Sequence, residues 1–554
     1  MEVRETLRAT PLPHARTRAA LEPQRLSGHV LAFADRNRYW LFASIVLLYV
    51  LGFNGQWRVE RDSALYLSIG RNLAEGQGYT YHDQPHHLAF PGLPVFFAFT
   101  FKAFHTDSLL PALVLMLVMG WAVLALNYRL FLLHAGRPTA VLMTAGLGFT
   151  RLFYRYCFEL MSDLPFLLGV MAFFVGFESL LERRMPGDGA LDAEKSSPRA
   201  RWFDWGLLVG GLVVAVAMRP TMWVLLVAIV LALVWRAVRG QMSMKQIAIG
   251  LAVISAAAAL SFMILKRGGS QATDDYSDYL RREKIEHFGQ TVHDAVHDNI
   301  PELFPKATFA KALFGCPVGP LLNIPAGLLV VGLSFWLLKQ RALWGLWALL
   351  TIGMLLIQKP VDRYFLPVVP LLVFAWWRCL LWLNLRMRSG KWANIVFIGL
   401  FLGGIGTNIS RLGEMVVEQR RVPFLAHYRE GRYESAYRVA EMLRTHTRQD
   451  DWVLVEPKVG RIMTFLSHRN ALEPTDPSQS ALARAALAKH RLFALEGSSL
   501  DESRSRSLPT QAGALREWMT RQSASVGAQV ADEVKGPLDK EPWKLYRLEL
   551  EPNK

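Results

Sequence analysis

The chain is 554 residues long, 52% of them hydrophobic, with a mean hydropathy of +0.20. Runs of about 20 apolar residues, the length that crosses a bilayer, recur along most of it; this excludes a soluble protein and predicts a polytopic α-helical membrane protein. The net charge of +16 does not signal nucleic-acid binding, because Arg and Lys sit mainly in short segments between apolar spans, the positive-inside pattern rather than a basic stripe.

Residues 1–38 carry Arg4, Arg8, Arg16, Arg18, Arg25, Arg36 and Arg38 against Glu2, Glu5, Glu22 and Asp35. They are Pro-rich and aperiodic, and read as a disordered cytoplasmic tail. A lead of roughly forty residues is long for a cleavable signal peptide, so the first apolar span reads as a retained helix. Spans are expected near 39–57, 109–130, 139–157, 164–181, 203–218, 221–238, 246–265, 318–338, 342–357, 364–384 and 392–410. With the N-terminus inside, every inner link is basic: Arg129 and Arg137; Arg183, Arg184, Lys195, Arg199 and Arg201; Arg236, Arg239 and Lys245; Lys339 and Arg341; Arg386, Arg388 and Lys391. The odd count, about eleven, places the C-terminus outside.

The transmembrane region thus covers 39–410, with outer loops at 58–108 and 266–316. Within the first loop, 91–105 is short for a span, and Pro91, Pro94 and the following phenylalanines predict a helix dipping into the outer leaflet. Beyond 411 charged residues dominate. Strands are expected at 451–457 and 543–548 and helices at 433–447 and 477–490, with a Ser/Arg-rich loop at 498–511. The segment 411–554 is therefore expected to be an extracytoplasmic α/β domain, long enough for one modest core. Cys157, Cys316 and Cys379 lie in or beside apolar spans and form no CxxC, so neither a structural zinc site nor a disulfide framework is expected.

Applied to polar residues at span ends, this topology gathers Glu60, Asp62, Asp163, Arg219, Lys359, Asp362, Arg363 and Tyr364 on the outer face. Acids gain little by snorkelling, so the grouping points to an outward-facing cavity. Arg151, Arg155, Glu159 and Asp163 recur every four residues and would share one face of a continuous helix. An ionised side chain at mid-membrane costs roughly 2.5–3.5 kcal/mol, which favours a cavity-lining face. Two arginines one turn apart suit a phosphate; the alternative is an ion-pair ladder between helices. His293, Asp294, His297 and Asp298 have metal-ligand spacing but read better as the wet face of an amphipathic helix. His82, Asp83, His86 and His87 could assist a cation near Asp62, a weaker signal. Gly206 and Gly210, a GxxxG pair, read as helix packing. The sequence shows no P-loop and no dinucleotide fingerprint, which argues against a bound nucleotide donor.

Four places carry a family resemblance: Glu60-Arg61-Asp62 through Gly76-Gln77-Gly78-Tyr79 with Pro91 and Pro94; Glu159 to Asp163; Arg219-Pro220; and Asp362-Arg363-Tyr364-Phe365-Leu366-Pro367 with Pro370. In this order and on one face, they resemble the type C glycosyltransferases. These are integral-membrane enzymes using polyprenyl-phosphate-linked sugars, and the chain looks most similar to the protein O-mannosyltransferase and lipid A aminoarabinose transferase group. The sequence departs from the mannosyltransferase subgroup in having Glu-x-Asp where that group has Asp-Glu, and Pro91-Gly92-Leu93-Pro94 where many relatives have paired prolines.

The resemblance implies inverting transfer of a sugar to an acceptor hydroxyl, with Asp62 as general base by match to the family's first-loop acid. Glu60 is the second choice. Arg219 and Arg363, with Arg151 and Arg155 behind them, would stabilise the leaving phosphate, and Asp163, Glu159 and Tyr364 would shape the substrate site. The expected partners are a polyprenyl-phosphate sugar, an acceptor that is a lipid, protein or glycan, and the lipids of a bacterial plasma membrane, with no nucleic acid. The scheme requires no cofactor or metal and leaves room for a divalent cation without pointing to one. A flippase or transporter of lipid-linked saccharide, or a cell-envelope scaffold, are the rival readings; the first would tend to show repeats and broken helices at the midplane.

Overall fold

The computed structural model describes residues 26–86, 89–182, 198–240, 244–265, 286–306, 308–315, 319–358, 361–386, 390–421, 432–455, 459–473, 483, 486, 492–496, 526–534 and 543–550. It is mostly helical. Four of the described helices are long and apolar enough to cross a membrane: Leu110–Ala135, Asp163–Leu180, Ala200–Met218 and Leu321–Gln340. Shorter apolar helices run Arg38–Gly52, Gly92–Phe104, Met222–Val238, Gly250–Met263, Ala342–Ile357 and Val369–Trp382. Large apolar side chains such as Leu47, Val213, Leu231 and Leu328 stand exposed on these helices. Water would not tolerate a belt of that extent, whereas lipid does.

The helices meet through small residues. A Cβ on Gly176 would lie 2.5 Å from Leu208 N, and one on Gly211 would lie 2.5 Å from Phe173 N. The Asp163–Glu182 and Pro198–Met218 helices therefore touch backbone to backbone. Gly206 and Gly210 have nothing within 4 Å, so the close approach belongs to the neighbouring glycines and not to the GxxxG pair. At the bundle end away from the first loop, Arg129 donates to buried Asp204 at 2.6 Å. Buried Trp344 donates through Nε1 to Glu178 at 3.0 Å.

Two expectations are corrected. Part of the tail expected to be disordered forms a helix, Leu26–Arg36, because Leu31 and Ala34 fall on one face and bury against the bundle. Arg137 fixes that helix with paired bonds to Asp35 of 2.7 and 2.9 Å; residues 1–25 lie outside the described residues. The segment expected as a span over 139–157 is two helices, Arg137–Gly148 and Arg151–Tyr156. Thr150 is extended between them and its hydroxyl bonds the carbonyl of Gly146, a local bond that competes with helix continuation.

The first loop holds the Arg61–Ala74 helix, a hairpin of strands β1 (Thr80–Tyr81) and β2 (Gln84–Pro85), and the Gly92–Phe104 helix capped by Pro91. The 266–316 loop is helical where described, through Phe288–Asp294, Ala295–Asn299, Ile300–Leu303 and Thr308–Phe314. Beyond the Gly390–Arg421 helix come the Arg432–His446 and Gly460–Ser467 helices. Five strands accompany them: β3 (Trp452–Leu454), β4 (Asn470–Leu472), β5 (Leu492–Glu496), β6 (Val526–Val534) and β7 (Trp543–Leu550). They form one sheet in the order β4-β3-β5-β7-β6. The pairs β3–β4 and β3–β5 are parallel, and β5–β7 and β6–β7 are antiparallel, with a bulge at Val530/Asp532. The helix expected at 477–490 and the loop at 498–511 lie largely or wholly outside the described residues.

Candidate active site

Glu60 is the extended residue that opens the Arg61–Ala74 helix, and its carbonyl accepts from Ala64 N and from the Ser63 hydroxyl. Trp57 donates through Nε1 to that hydroxyl at 3.0 Å, which ties the incoming chain to the first turn. Asp62 therefore sits in the first turn, where the helix dipole favours negative charge.

Two arginines from distant segments reach Asp62. Arg363 lies on the short turn Asp362–Phe365 ahead of the Val369–Arg386 helix and donates through Nη2 to Oδ2 at 3.0 Å. Arg461, at the start of the Gly460–Ser467 helix, donates through Nη1 to Oδ1 at 3.2 Å. Burial resists ionisation of Asp62, but Arg363, Arg461 and Arg61 outweigh it and hold the carboxyl below its ordinary value of 3.8. Beside it, burial and the Asp62 charge push the Tyr66 phenol up to about 12, so Tyr66 keeps its proton.

Asp163 opens the Asp163–Glu182 helix and is fully buried against Arg219, which pairs with it from the end of the Pro198–Met218 helix. Pro220 follows in the turn that leads into the Met222–Val238 helix, where Met222 N donates to Arg219 O at 3.3 Å. The Arg219 guanidinium lies 4.7 Å from the Tyr364 ring centre, and that of Arg363 lies 5.1 Å from the same ring. A cavity of about 160 Å³ opens between these groups, lined by Asp62, Tyr66, Ser162, Arg219, Gln358, Arg363 and Tyr364 among others. Asp163 stands behind it, anchoring Arg219.

Glu60, Arg155 and Glu159 form an adjoining network. Arg155 Nε donates to Glu159 at 2.6 Å and its Nη2 lies 3.7 Å from Glu60. Arg58 lies 3.8 Å from Glu159 and donates to the carbonyl of Arg155 at 3.2 Å. The helix ends at Tyr156, so Arg151, Arg155, Glu159 and Asp163 do not share one continuous helical face. Arg151 is held elsewhere: its Nη1 donates to Gly315 O at 3.0 Å and its backbone N to Asn408 at 2.9 Å. The structure therefore does not bring Arg151 and Arg155 together as the pair expected from the spacing, since Arg155 is held by Glu159. Arg461 carries no signal in the sequence, since only docking brings it to Asp62. The rings of His293 and His297 lie tilted to each other with their centres 4.3 Å apart on an exposed helical segment. Among the described residues, no three His, Cys, Asp or Glu side chains cluster closely enough to hold a metal ion.

This arrangement of a helical membrane region, a structured first loop and a strand-rich C-terminal part is shared in fold with solved structures. The chain is similar to ArnT from Cupriavidus metallidurans bound to undecaprenyl phosphate, at 12% identity over 93% of this chain and 99% of that one, with a TM-score of 0.53. It is also similar to the archaeal oligosaccharyltransferase AglB from Archaeoglobus fulgidus in complex with an inhibitory peptide and a dolichol-phosphate, at 12% identity over 83% and 70% and a TM-score of 0.52. The Archaeoglobus fulgidus oligosaccharyltransferase tethered with an acceptor peptide matches at 12% identity over 91% and 73%, with a TM-score of 0.55. No family matches the chain by sequence and no curated protein does. At such identities the likeness is one of fold.

Proposed function

We propose that the protein transfers a sugar from a polyprenyl-phosphate-linked donor to an acceptor hydroxyl. The observation that carries this reading is the cavity in which one ionised carboxylate, Asp62, faces Arg363 and Arg219. The acceptor oxygen attacks the anomeric carbon and forms the new glycosidic bond. The bond from that carbon to the phosphate oxygen breaks, and polyprenyl phosphate leaves with the electron pair. Asp62 takes the hydroxyl proton as general base. Arg363 and Arg219 stabilise charge on the leaving phosphate, and Asp163 holds Arg219 in place. Attack opposite the leaving group inverts the anomeric centre. Glu60, braced by Arg155 and Glu159, orients the acceptor. The scheme assigns the phosphate charge to arginines and calls on no cofactor.

The proposal includes the topology of about eleven spans. It places the N-terminus in the cytoplasm and the site on the outer face of a bacterial plasma membrane, with 411–554 as an extracytoplasmic domain. The undecaprenyl phosphate bound to ArnT and the dolichol-phosphate bound to AglB support a lipid-phosphate donor.

The test is mass spectrometry of polyprenyl-phosphate lipids from native cells carrying wild-type protein or Asp62→Ala at matched expression. One sugar-linked lipid should accumulate in the mutant, which would identify the donor. Unchanged lipid pools would overturn the assignment of Asp62.

A further inference from the structure

Arg461 comes from the strand-rich C-terminal part and yet donates to the same carboxylate as Arg363. A partly exposed ion pair contributes little on its own, so it cannot be what seats that part on the first loop. Other contacts do so. Arg71 donates to Phe465 O at 2.9 Å and its guanidinium lies 4.4 Å from the Phe465 ring centre. The ring of buried Trp57 meets Phe465 edge-on at 5.1 Å. Asn470 donates to Asp83 at 2.7 Å. These contacts fix the Gly460–Ser467 helix against the Arg61–Ala74 helix and bring its Arg461 to Asp62, a residue of the cavity lining.

Two features around Asp62 point to an anion. Asp62 and Arg461 are each about a third exposed, at 36% and 35%, so an incoming group can reach both. Arg363 Nε is buried and has no partner among the described residues, a donor that a second acceptor would satisfy once the side chain swings off Asp62. A phosphate oxygen supplies that acceptor in the fork geometry a guanidinium prefers.

We propose that Arg461 is a ligand of the donor's phosphate, and that donor binding draws Arg461 and Arg363 off Asp62. The inference rests on the transferase reading and deepens it. With the arginines engaged by phosphate, Asp62 loses its two donors and regains basicity beside the acceptor hydroxyl. The base is thus released only when a donor is in place, and the C-terminal part completes the active site. The step transfers no atoms: two sets of hydrogen bonds exchange one acceptor for another.

The test measures undecaprenyl phosphate binding to the full-length protein in nanodiscs. Arg461→Gln should weaken binding roughly tenfold or more, the scale of one lost charge-assisted bond. Arg461→Lys should restore part of it, and Thr445→Ala, an exposed position whose hydroxyl bonds only Glu441 O on its own helix, should leave it unchanged. Asp62→Asn should tighten binding several-fold, because it removes the competing negative charge and leaves only a neutral, weaker acceptor. If Arg461→Gln binds like wild type while Arg363→Gln does not, the role of Arg461 is overturned and the transferase reading stands. If Asp62→Asn weakens binding, the exchange is overturned. If the wild-type protein does not bind undecaprenyl phosphate, the donor site itself is wrong and both readings fall.

Discussion

Asp62 and Asp163 each pair with arginine, but in different surroundings, and they should fail differently. Asp163 is fully buried against Arg219, so Asp163→Asn leaves a buried cation without its counter-charge. That should cost about 3–5 kcal/mol, read as a clear drop in the thermal midpoint in detergent. Asp62 is about a third exposed, so Asp62→Asn should cost less than about 1 kcal/mol while abolishing turnover. Equal midpoints for the two variants would contradict the burial argument. The pH dependence follows from the same contacts. Because Asp62 titrates below 3.8 in the folded protein, the stability from its pairs is present above the ordinary carboxylate value and is lost as pH falls through the lower folded one. In the donor-free protein, an acid-induced change that occurs well above pH 3.8 therefore belongs to another group.

At the scale of elements, the contact between the Asp163–Glu182 and Pro198–Met218 helices depends on glycine at particular positions. Gly176→Val would drive a side chain into the backbone at Leu208, where nothing can yield. It should lower stability by about 1–3 kcal/mol or more. Gly206→Val, with open space around it, should leave the thermal midpoint near wild type; the reverse order would refute the packing. The GxxxG spacing was visible in the sequence, but spacing alone does not say which side of a helix meets its neighbour. The break at Phe149–Thr150 was hidden for a related reason, because apolar residues on both sides read as one span. The docked interface carries its own pH signature. Burial, with Arg71 and Arg444 nearby, pushes His468 down from 6.5 to about 4. The neutral form favours docking, so docking stability is full above pH 6.5 and declines as pH falls toward 4. His468 sits at φ 56, a backbone conformation that Asn also tolerates. His468→Asn should keep the fold and flatten that decline, followed by limited proteolysis of the C-terminal part across the pH range. An unchanged pH profile would remove His468 from the interface energetics.

At the scale of the molecule, one interface constrains the topology. Arg461 touches Asp62 and Phe465 accepts from Arg71, so any topology proposed for the chain must put the C-terminal part and the first loop on the same face of the membrane. The chain must then cross an even number of times between them. The interface fixes this parity and not the number of spans. Asp62, Asp163, Arg219 and Arg363 were legible in the sequence because charges beside apolar runs are costly and therefore stand out. Arg461 was not, because an arginine in a charged, soluble segment is ordinary, and only folding across the length of the chain gives it a partner. The Arg38–Gly52 helix lies between the Leu26–Arg36 helix and the first loop; if it crosses the membrane as proposed, the N-terminal helix is on the opposite face. Single cysteines at exposed Arg36, Gln77 and Thr445 test this with a membrane-impermeant maleimide on spheroplasts. Gln77→Cys and Thr445→Cys should label on intact spheroplasts, and Arg36→Cys only after permeabilisation. If Gln77→Cys and Thr445→Cys label from different sides, the docked arrangement is wrong, and Arg461 loses its route to Asp62. If both label only after permeabilisation, docking survives but the site faces the cytoplasm.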